Sequence, residues 1–444
     1  RDVKQAMRSV PHEGLGYGLL RYCAPVALRE QAGYWQRPTV TFNYLGRLDT
    51  SFGVDGGLFE WNEDSPGQDR DAAAPLINAL EINAYVHNGE LVMNWRYNSA
   101  QYREDTMRLI VAAYRANLEA IITHCLGQET EGATPSDFPL VQLRQEDLDA
   151  LGRSIRRIED ICPLTALQQG ILYHALESPG ADAYFYQRGF VLRGALSVAH
   201  FQHAWERVAN HHAALRSNYQ WEGLSTPVQT VCKSASVQMI DTDWRELGET
   251  EQWSRLDSLL QEERRQGFDF GAAAALRLRL IRVAEDVWWF IWSQHHIVLD
   301  GWSMGIVLRD VMQAYRACQQ QQSWHAVARY TYSDYPRWLA KRDQAQALQY
   351  WRRQLAGFDT LTPIPGGRLQ DSLGYAELNC NLDADATRRI QEAVQRQGVT
   401  LNTLMQGVWA VMLARYSGHS DVVFGITVSG RSATIPGIEE WVGL

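Results

Sequence analysis

Residues 287–293, Val-Trp-Trp-Phe-Ile-Trp-Ser, form an apolar run that ends in Gln294-His295-His296; after Ile297-Val298-Leu299 come Asp300-Gly301 and helical spacing through Met304, Val307, Leu308, Val311 and Tyr315. A short run rich in Trp and Ile, closed by an Asp-Gly turn signal, predicts a strand covered on both faces that hands over to a helix. Such a strand needs sheet neighbours on either side and packed layers above and below. The chain is therefore expected to build an α/β or α+β core around it. The run is far too short to span a bilayer.

At 444 residues the chain has room for two or three domains. A net charge of −9 with scattered Lys and Arg offers no basic stripe, so nucleic acid is not an expected partner. The six cysteines (Cys23, Cys125, Cys162, Cys232, Cys318, Cys380) form no Cys-x-x-Cys pair, which argues against a metal site and a disulfide framework. With no apolar leader at the start, the expectation is a cytoplasmic location and no membrane partner.

Composition and periodicity divide the chain into four. Residues 1–127 hold strand-like Thr39–Tyr44 and Glu90–Trp95, then apolar positions at Met107, Ile110, Val111, Tyr114, Leu118 and Ile121 that predict a helix over Tyr102–Cys125. Residues 128–157, polar and carrying the turn signal Thr134-Pro135-Ser136-Asp137, read as an interdomain linker. In 158–330, Thr165 and Ser197 are placed to cap helices, the second burying Phe201, Ala204, Trp205 and Val208, and Leu215–Gln220 reads as a strand. In 331–444, Thr403–Tyr416 is helical by spacing and Asp421–Val428 strand-like. Arg1 and the terminal Trp441-Val442-Gly443-Leu444 read as the ends of a fragment of something larger.

The end of a rigid strand meeting an exposed loop is a favoured place for catalytic groups. An imidazole there can take a proton from an amine or hydroxyl attacking a carbonyl, typically worth about 10²- to 10⁴-fold in rate. Asp300 can hold the loop by pairing with a distant cation, and Gly301 permits a positive φ or close approach. Two adjacent histidines alone fit a structural pair with Asp300 as a helix cap. The full spacing favours the chemical reading. By contrast His211-His212, followed by Ala-Ala-Leu-Arg, lacks the Asp-Gly and reads as structural.

Gln294–Ser303 resembles the His-His-x-x-x-Asp-Gly motif of the condensation and epimerization domains of nonribosomal peptide synthetases. Pro163–Gly170 resembles the family's opening motif, His212–Arg216 its second, Tyr332–Trp338 the motif after the catalytic loop, and Asp421–Arg431 a C-lobe segment. The resemblance implies a chloramphenicol-acetyltransferase-like fold, two sheet-and-helix lobes in a V around a central tunnel. It implies His296 as the catalytic histidine, His295 as its support, and Asp300 as a structural residue whose C-lobe partner is Arg431. Residues 158–330 would be the N-lobe and 331–444 an incomplete C-lobe.

The first 127 residues resemble the C-terminal part of an epimerization domain through Gly14–Tyr22 and Val40–Gly46, with Asn43 and Tyr44 matching site-lining positions. That order implies a condensation domain joining a D-configured donor to an L-configured acceptor, in secondary-metabolite and antibiotic biosynthesis. Phosphopantetheine would arrive on upstream and downstream peptidyl carrier domains, beside an adenylation domain, with no cofactor bound covalently by this chain. Epimerization of a carrier-bound aminoacyl group, a coenzyme A-dependent acyltransferase of the same fold, and an inactive carrier-binding module remain alternatives.

Overall fold

The computed structural model describes residues 1–31, 38–48, 78–127, 132–177, 184–271, 275–324, 331–359, 362, 377–431 and 434–444. Two units emerge: Arg1–Ile158 with Gly223–Thr226, and Glu159–Glu222 with Pro227–Leu444. Positions 128 and 330, where the sequence reading draws boundaries, lie outside the described residues.

The first unit opens with short helices α1 (Asp2–Arg8), α2 (Leu15–Gly18) and α3 (Val26–Gln31). Strands β1 (Val40–Arg47), β2 (Leu80–His87) and β3 (Glu90–Tyr97) form a sheet in that order, β1 parallel to β2 and β2 antiparallel to β3. The β2–β3 hairpin turns through Asn88-Gly89 at φ 50° and 78°, the dipeptide that a two-residue turn of this hand favours. The sequence reading misses β2, whose Ile82 and Ala84 are its buried members.

Helix α4 (Glu104–Gly127) follows the expected spacing, yet Met107 alone is buried on it. Tyr114 meets Trp95 of β3 edge-on at 5.4 Å, while Ile110, Val111 and Ile121 are exposed. By length and composition α4 is apolar enough to cross a membrane. An Arg115–Glu119 ion pair at 2.8 Å interrupts it, and Arg at a bilayer centre costs about 2.5–3.5 kcal/mol.

The polar segment that follows is built rather than open. It carries a 3₁₀ turn at Pro135–Asp137, helix α5 (Gln145–Ala150) and a second 3₁₀ turn at Gly152–Arg157, with Phe138, Leu143, Leu148 and Ile155 buried. Asp137 accepts from the Thr134 N–H at 2.9 Å and pairs with Lys4 (2.6 Å) and Arg8 of α1. Burial raises the Asp137 carboxyl, but Lys4, the Thr134 N–H and Arg8 outweigh it and bring it down to about 2. Buried Asp147 accepts from the Arg144 N–H at 2.7 Å and from both the N–H and hydroxyl of Ser225 at 3.0 Å, tying loop 223–226 into this unit.

The second unit runs β4 (Ile158–Pro163), α6 (Ala166–Glu177), β5 (Phe185–Arg193), α7 (Val198–His211), β6 (Ser217–Gln220), β7 (Val228–Cys232), β8 (Met239–Asp243), α8 (Glu249–Gln266), β9 (Leu276–Ala284), β10 (Val287–His295) and α9 (Gly301–Gln319). After these come α10 (Asp334–Ala340), α11 (Gln344–Gln354), α12 (Ala384–Gln397) and α13 (Leu401–Ser417). The strands make one sheet in the order β5-β10-β9-β8 and another in the order β4-β7-β6. β8 lies parallel to β9 and connects to it through α8, the crossover that a parallel pair requires.

The apolar run lies at the heart of this unit. As β10 it pairs antiparallel with β5 on one side and β9 on the other. Its period of two sends Trp288, Phe290 and Trp292 into the main core with Trp205 and Val208 of α7 and Val307 and Val311 of α9. Trp289 and Ile291 face the opposite way, toward Leu256 and Leu260 of α8. Both faces are therefore covered, which is why the strand reads as continuously apolar.

Beneath it, His212 Nε2 lies 2.9 Å from Asp310 Oδ2, a buried pair joining the end of α7 to α9, in line with a structural role for this second His-His. Ser197 caps α7, accepting from the His200 N–H at 3.4 Å. Two expectations change. Leu215 and Arg216 belong to a 3₁₀ turn, closed by the Leu215 N–H to His212 carbonyl bond at 3.0 Å, so strand β6 begins only at Ser217. Residues 421–428 are not a strand, because they have no ladder partner among the described residues.

Candidate active site

β10 ends at His295, and His296 opens the turn that runs through Ile297-Val298-Leu299 into α9. His295 is fully buried, its ring 4.6 Å from Phe270 in an edge-on contact. Its Nδ1 accepts from the Ile297 N–H at 3.2 Å, so the neutral ring carries its proton on Nε2. His296 is half-buried, with its N–H donating to the Tyr184 carbonyl at 2.9 Å and its ring meeting Tyr186 edge-on at 5.3 Å. His296 Nδ1 is buried with no hydrogen-bond partner among the described residues. His295 thus faces into the fold and supports the turn, whereas the half-buried His296 ring makes no side-chain hydrogen bond through Nδ1 among the described residues.

Asp300 is the N-cap of α9. Its Oδ1 accepts from the Ser303 N–H at 2.8 Å and hydroxyl at 2.5 Å, satisfying donors that the first helical turn leaves unpaired. Arg431 Nη2 lies 3.0 Å from both Asp300 oxygens, and Arg431 Nη1 donates to the carbonyls of Ile438 (2.9 Å) and Trp441. Ser303 Oγ also accepts from the Gly443 N–H at 3.0 Å and lies 2.9 Å from the Gly443 carbonyl oxygen. A carboxylate and a guanidinium, both largely shielded, therefore hold the start of α9 against the 438–443 segment.

The freedom that Gly301 permits is not used. Gly301 is the first residue of α9, it is not among the positive-φ glycines, and a methyl group at its Cα would meet no atom within 4 Å. Neither left-handed backbone nor close approach calls for glycine there.

Beside this anchor lies a cleft of about 70 Å³ walled by Thr165, Gln168, Gln229, Tyr332, Asp300 and Arg431, among others. His296 is not among its lining residues. In the first unit, Asn43 and Tyr44 lie exposed on β1, and Asn43 Nδ2 donates to Asn83 Oδ1 of β2 at 3.3 Å.

The condensation-domain family model matches residues 1–143 and 158–444. The chain belongs to the condensation-domain family. It is 35% identical over 449 residues to a linear gramicidin synthase polypeptide of Brevibacillus parabrevis, covering 100% of this chain and 6% of that one. It is 33% identical over 448 residues to bacitracin synthase 3 of Bacillus licheniformis, covering 100% of this chain and 7% of that one. The chain therefore spans only a small part of these synthases.

Among solved structures, the EpoB cyclization-docking bidomain of Sorangium cellulosum matches with a TM-score of 0.53 at 17% identity, covering 82% of this chain and 68% of that one. The first condensation domain of the calcium-dependent antibiotic synthetase matches with a TM-score of 0.51 at 19% identity, covering 63% and 66%. At these identities the likeness speaks for the fold, which is the chloramphenicol-acetyltransferase-like α/β architecture. Condensation domains are acyltransferase-type units of nonribosomal peptide synthetases, multidomain enzymes in which carrier and adenylation domains accompany them.

Sequence reasoning about this condensation domain passed over Gln168 and Tyr219, whose side chains reach the turn after His296. It also passed over Ser303, which shares the Asp300 carboxylate. Ser303 has a visible signal, since an Asp three residues before a Ser at a helix start is a capping arrangement.

Proposed function

We propose that residues 158–444 catalyse peptide-bond formation between two carrier-bound acyl groups. Support comes above all from His296, a half-buried histidine whose Nδ1 is left without a partner among the described residues, on a turn whose backbone and flanking Asp300 are held in place. In this reading the acceptor's α-amine attacks the donor thioester carbonyl, forming the C–N bond. His296 Nε2 orients that amine and accepts its proton. The C–S bond breaks and the proton passes to the departing phosphopantetheine thiolate. Holding amine and thioester together supplies much of the acceleration, because effective molarities of oriented groups reach about 10⁵–10⁸ M. His295 buttresses the turn, while Asp300 and Arg431 are its anchor.

The substrates are thioesters on the phosphopantetheine arms of upstream and downstream peptidyl carrier domains. Residues 1–127 are read as the C-terminal part of an epimerization domain, with Asn43 and Tyr44 from its site. An epimerization domain directly before a condensation domain supports a D-configured donor and an L-configured acceptor.

The test uses the synthetase containing this chain, with carriers loaded with D- or L-aminoacyl donors and an L-acceptor. Dipeptide is expected from the D-donor, with loss of at least 10²-fold in His296→Ala at unchanged circular dichroism. Wild-type rates in that variant would refute the catalytic role. Solvent exchange of the donor α-proton without an acceptor would favour epimerization, and turnover with free coenzyme A thioesters a stand-alone acyltransferase.

A further inference from the structure

The Ile297 carbonyl, one residue past His296, accepts two hydrogen bonds from side chains far away in sequence. Tyr219 Oη donates at 2.7 Å and Gln168 Nε2 at 3.3 Å. Tyr219 and Gln168 are each 1% exposed and Ile297 is fully buried, so water does not compete for that oxygen. Gln168 is oriented from its other end. Its Oε1 accepts from the Thr165 N–H at 3.0 Å while Thr165 Oγ1 accepts from the Gln168 N–H at 3.2 Å, the reciprocal capping box that starts α6. The amide nitrogen is thereby turned toward Ile297 and toward Gln229 Oε1, 3.0 Å away, and Gln229 bonds Tyr332 Oη at 2.8 Å.

This network closes a set of constraints on His296. On its N-terminal side its own N–H is held by the Tyr184 carbonyl, and on its C-terminal side the Ile297 N–H is held by His295 Nδ1 and the Val298 N–H by the His295 carbonyl. The Ile297 oxygen lies in the same rigid peptide plane as the Val298 N–H, so Tyr219 and Gln168 fix from the oxygen side a plane that the His295 carbonyl holds from the N–H side. We infer that Tyr219 and Gln168 are positioning residues for acyl transfer, setting the aim of the His296 imidazole through the Ile297 carbonyl. The inference rests on the condensation reading of this site. Neither residue need touch the reacting atoms, and a displacement of about 1 Å at a reacting centre costs on the order of 10²-fold in rate.

Two substitutions isolate the donors. Tyr219→Phe deletes one hydroxyl and leaves the Gln168 bond. In Gln168→Glu a carboxylate oxygen still accepts from the Thr165 N–H, so the helix start is kept, but the ionised side chain has no donor for Ile297. Once protonated it can donate again, and burial raises that protonation into a measurable range. The expected results in the loaded synthetase are a roughly tenfold lower rate for Tyr219→Phe and, for Gln168→Glu, a variant-to-wild-type ratio that falls about 10²-fold as pH rises. Gln168→Met should be slow with a flat ratio, which is also what a purely structural role predicts for Gln168→Glu. Hydrogen exchange on the 444-residue chain is read in parallel, with faster exchange at Ile297 and Val298 expected in Tyr219→Phe. A Gln168→Glu ratio independent of pH, or unchanged exchange in Tyr219→Phe, overturns the inference. If His296→Ala alone is inactive and both other variants stay within twofold of wild type, the positioning role fails while the condensation reading stands. If wild-type enzyme forms no peptide, the condensation reading fails instead.

Discussion

Replacing Arg431 with Ala removes one half of the anchor at the start of α9. The pair is largely shielded, with the Arg431 side chain 11% and Asp300 17% exposed. Taking one partner from a buried pair costs about 3–5 kcal/mol, because the other charge stays behind without compensation. Here Asp300 keeps the Ser303 N–H and hydroxyl, and some water reaches both groups, so the lower end applies, about 3 kcal/mol. Asp300→Asn should be milder, about 1–2 kcal/mol, since Asn caps a helix nearly as well as Asp and only the charge is lost.

The two substitutions act on one contact and should not add. A cycle of Arg431→Ala, Asp300→Asn and the double variant should give a coupling energy of about 1–3 kcal/mol. Urea unfolding followed by tryptophan fluorescence reads it, because Trp288 and Trp292 lie in the core of the same unit. In thermal melts the Arg431→Ala loss corresponds to roughly 6–12 °C, at about 2–4 °C per kcal/mol for a unit of this size. Additive single effects, with coupling below about 0.5 kcal/mol, would show that Asp300 is held by its helix cap alone and that Arg431 is not its anchor.

Three further outcomes follow from the same geometry. Burial raises the Asp310 carboxyl, but the hydrogen bond and charge of His212, with Arg309, outweigh it and the net shift is downward. A depressed carboxyl stabilises the fold above its unfolded value near 3.9, and that contribution is lost as pH falls through the lower folded value. Acid unfolding below about pH 4 should therefore flatten in Asp310→Asn, and identical acid profiles for variant and wild type would contradict the pairing. Gly301→Ala should leave melting unchanged or raise stability by about 0.5–1 kcal/mol, since helix propensity improves and nothing obstructs the methyl group; a marked loss would mean that the turn does use its glycine. Trp292→Ala, at a fully buried position, should cost about 3–5 kcal/mol in urea unfolding, and a cost under 1 kcal/mol would place that ring outside the core.

What could be read from the sequence follows the range of the forces involved. β10 was legible because its apolar period and the Asp-Gly stop are local, and local pattern alone demands two covered faces and a turn. The same locality gave the caps at Ser197 and Thr165 and the buried stripe of α7. Segment 421–428 has strand-like composition, but a strand exists only with a partner, and partners are not encoded locally. The Asp300–Arg431 contact joins residues 131 positions apart and was reached through family resemblance, not spacing.

Gln168 and Tyr219 mark the further limit. Their bonds to Ile297 bridge 129 and 78 positions, and both residues have sufficient local explanations, one as the third residue of a capping box, the other as an inward member of β6. A side chain whose local role is complete gives no sign of a second one. Glu would complete the Gln168 cap equally well, so the local pattern does not require an amide there. Only the donor to Ile297 does, which is why Gln168→Glu separates the two roles that the sequence superimposes.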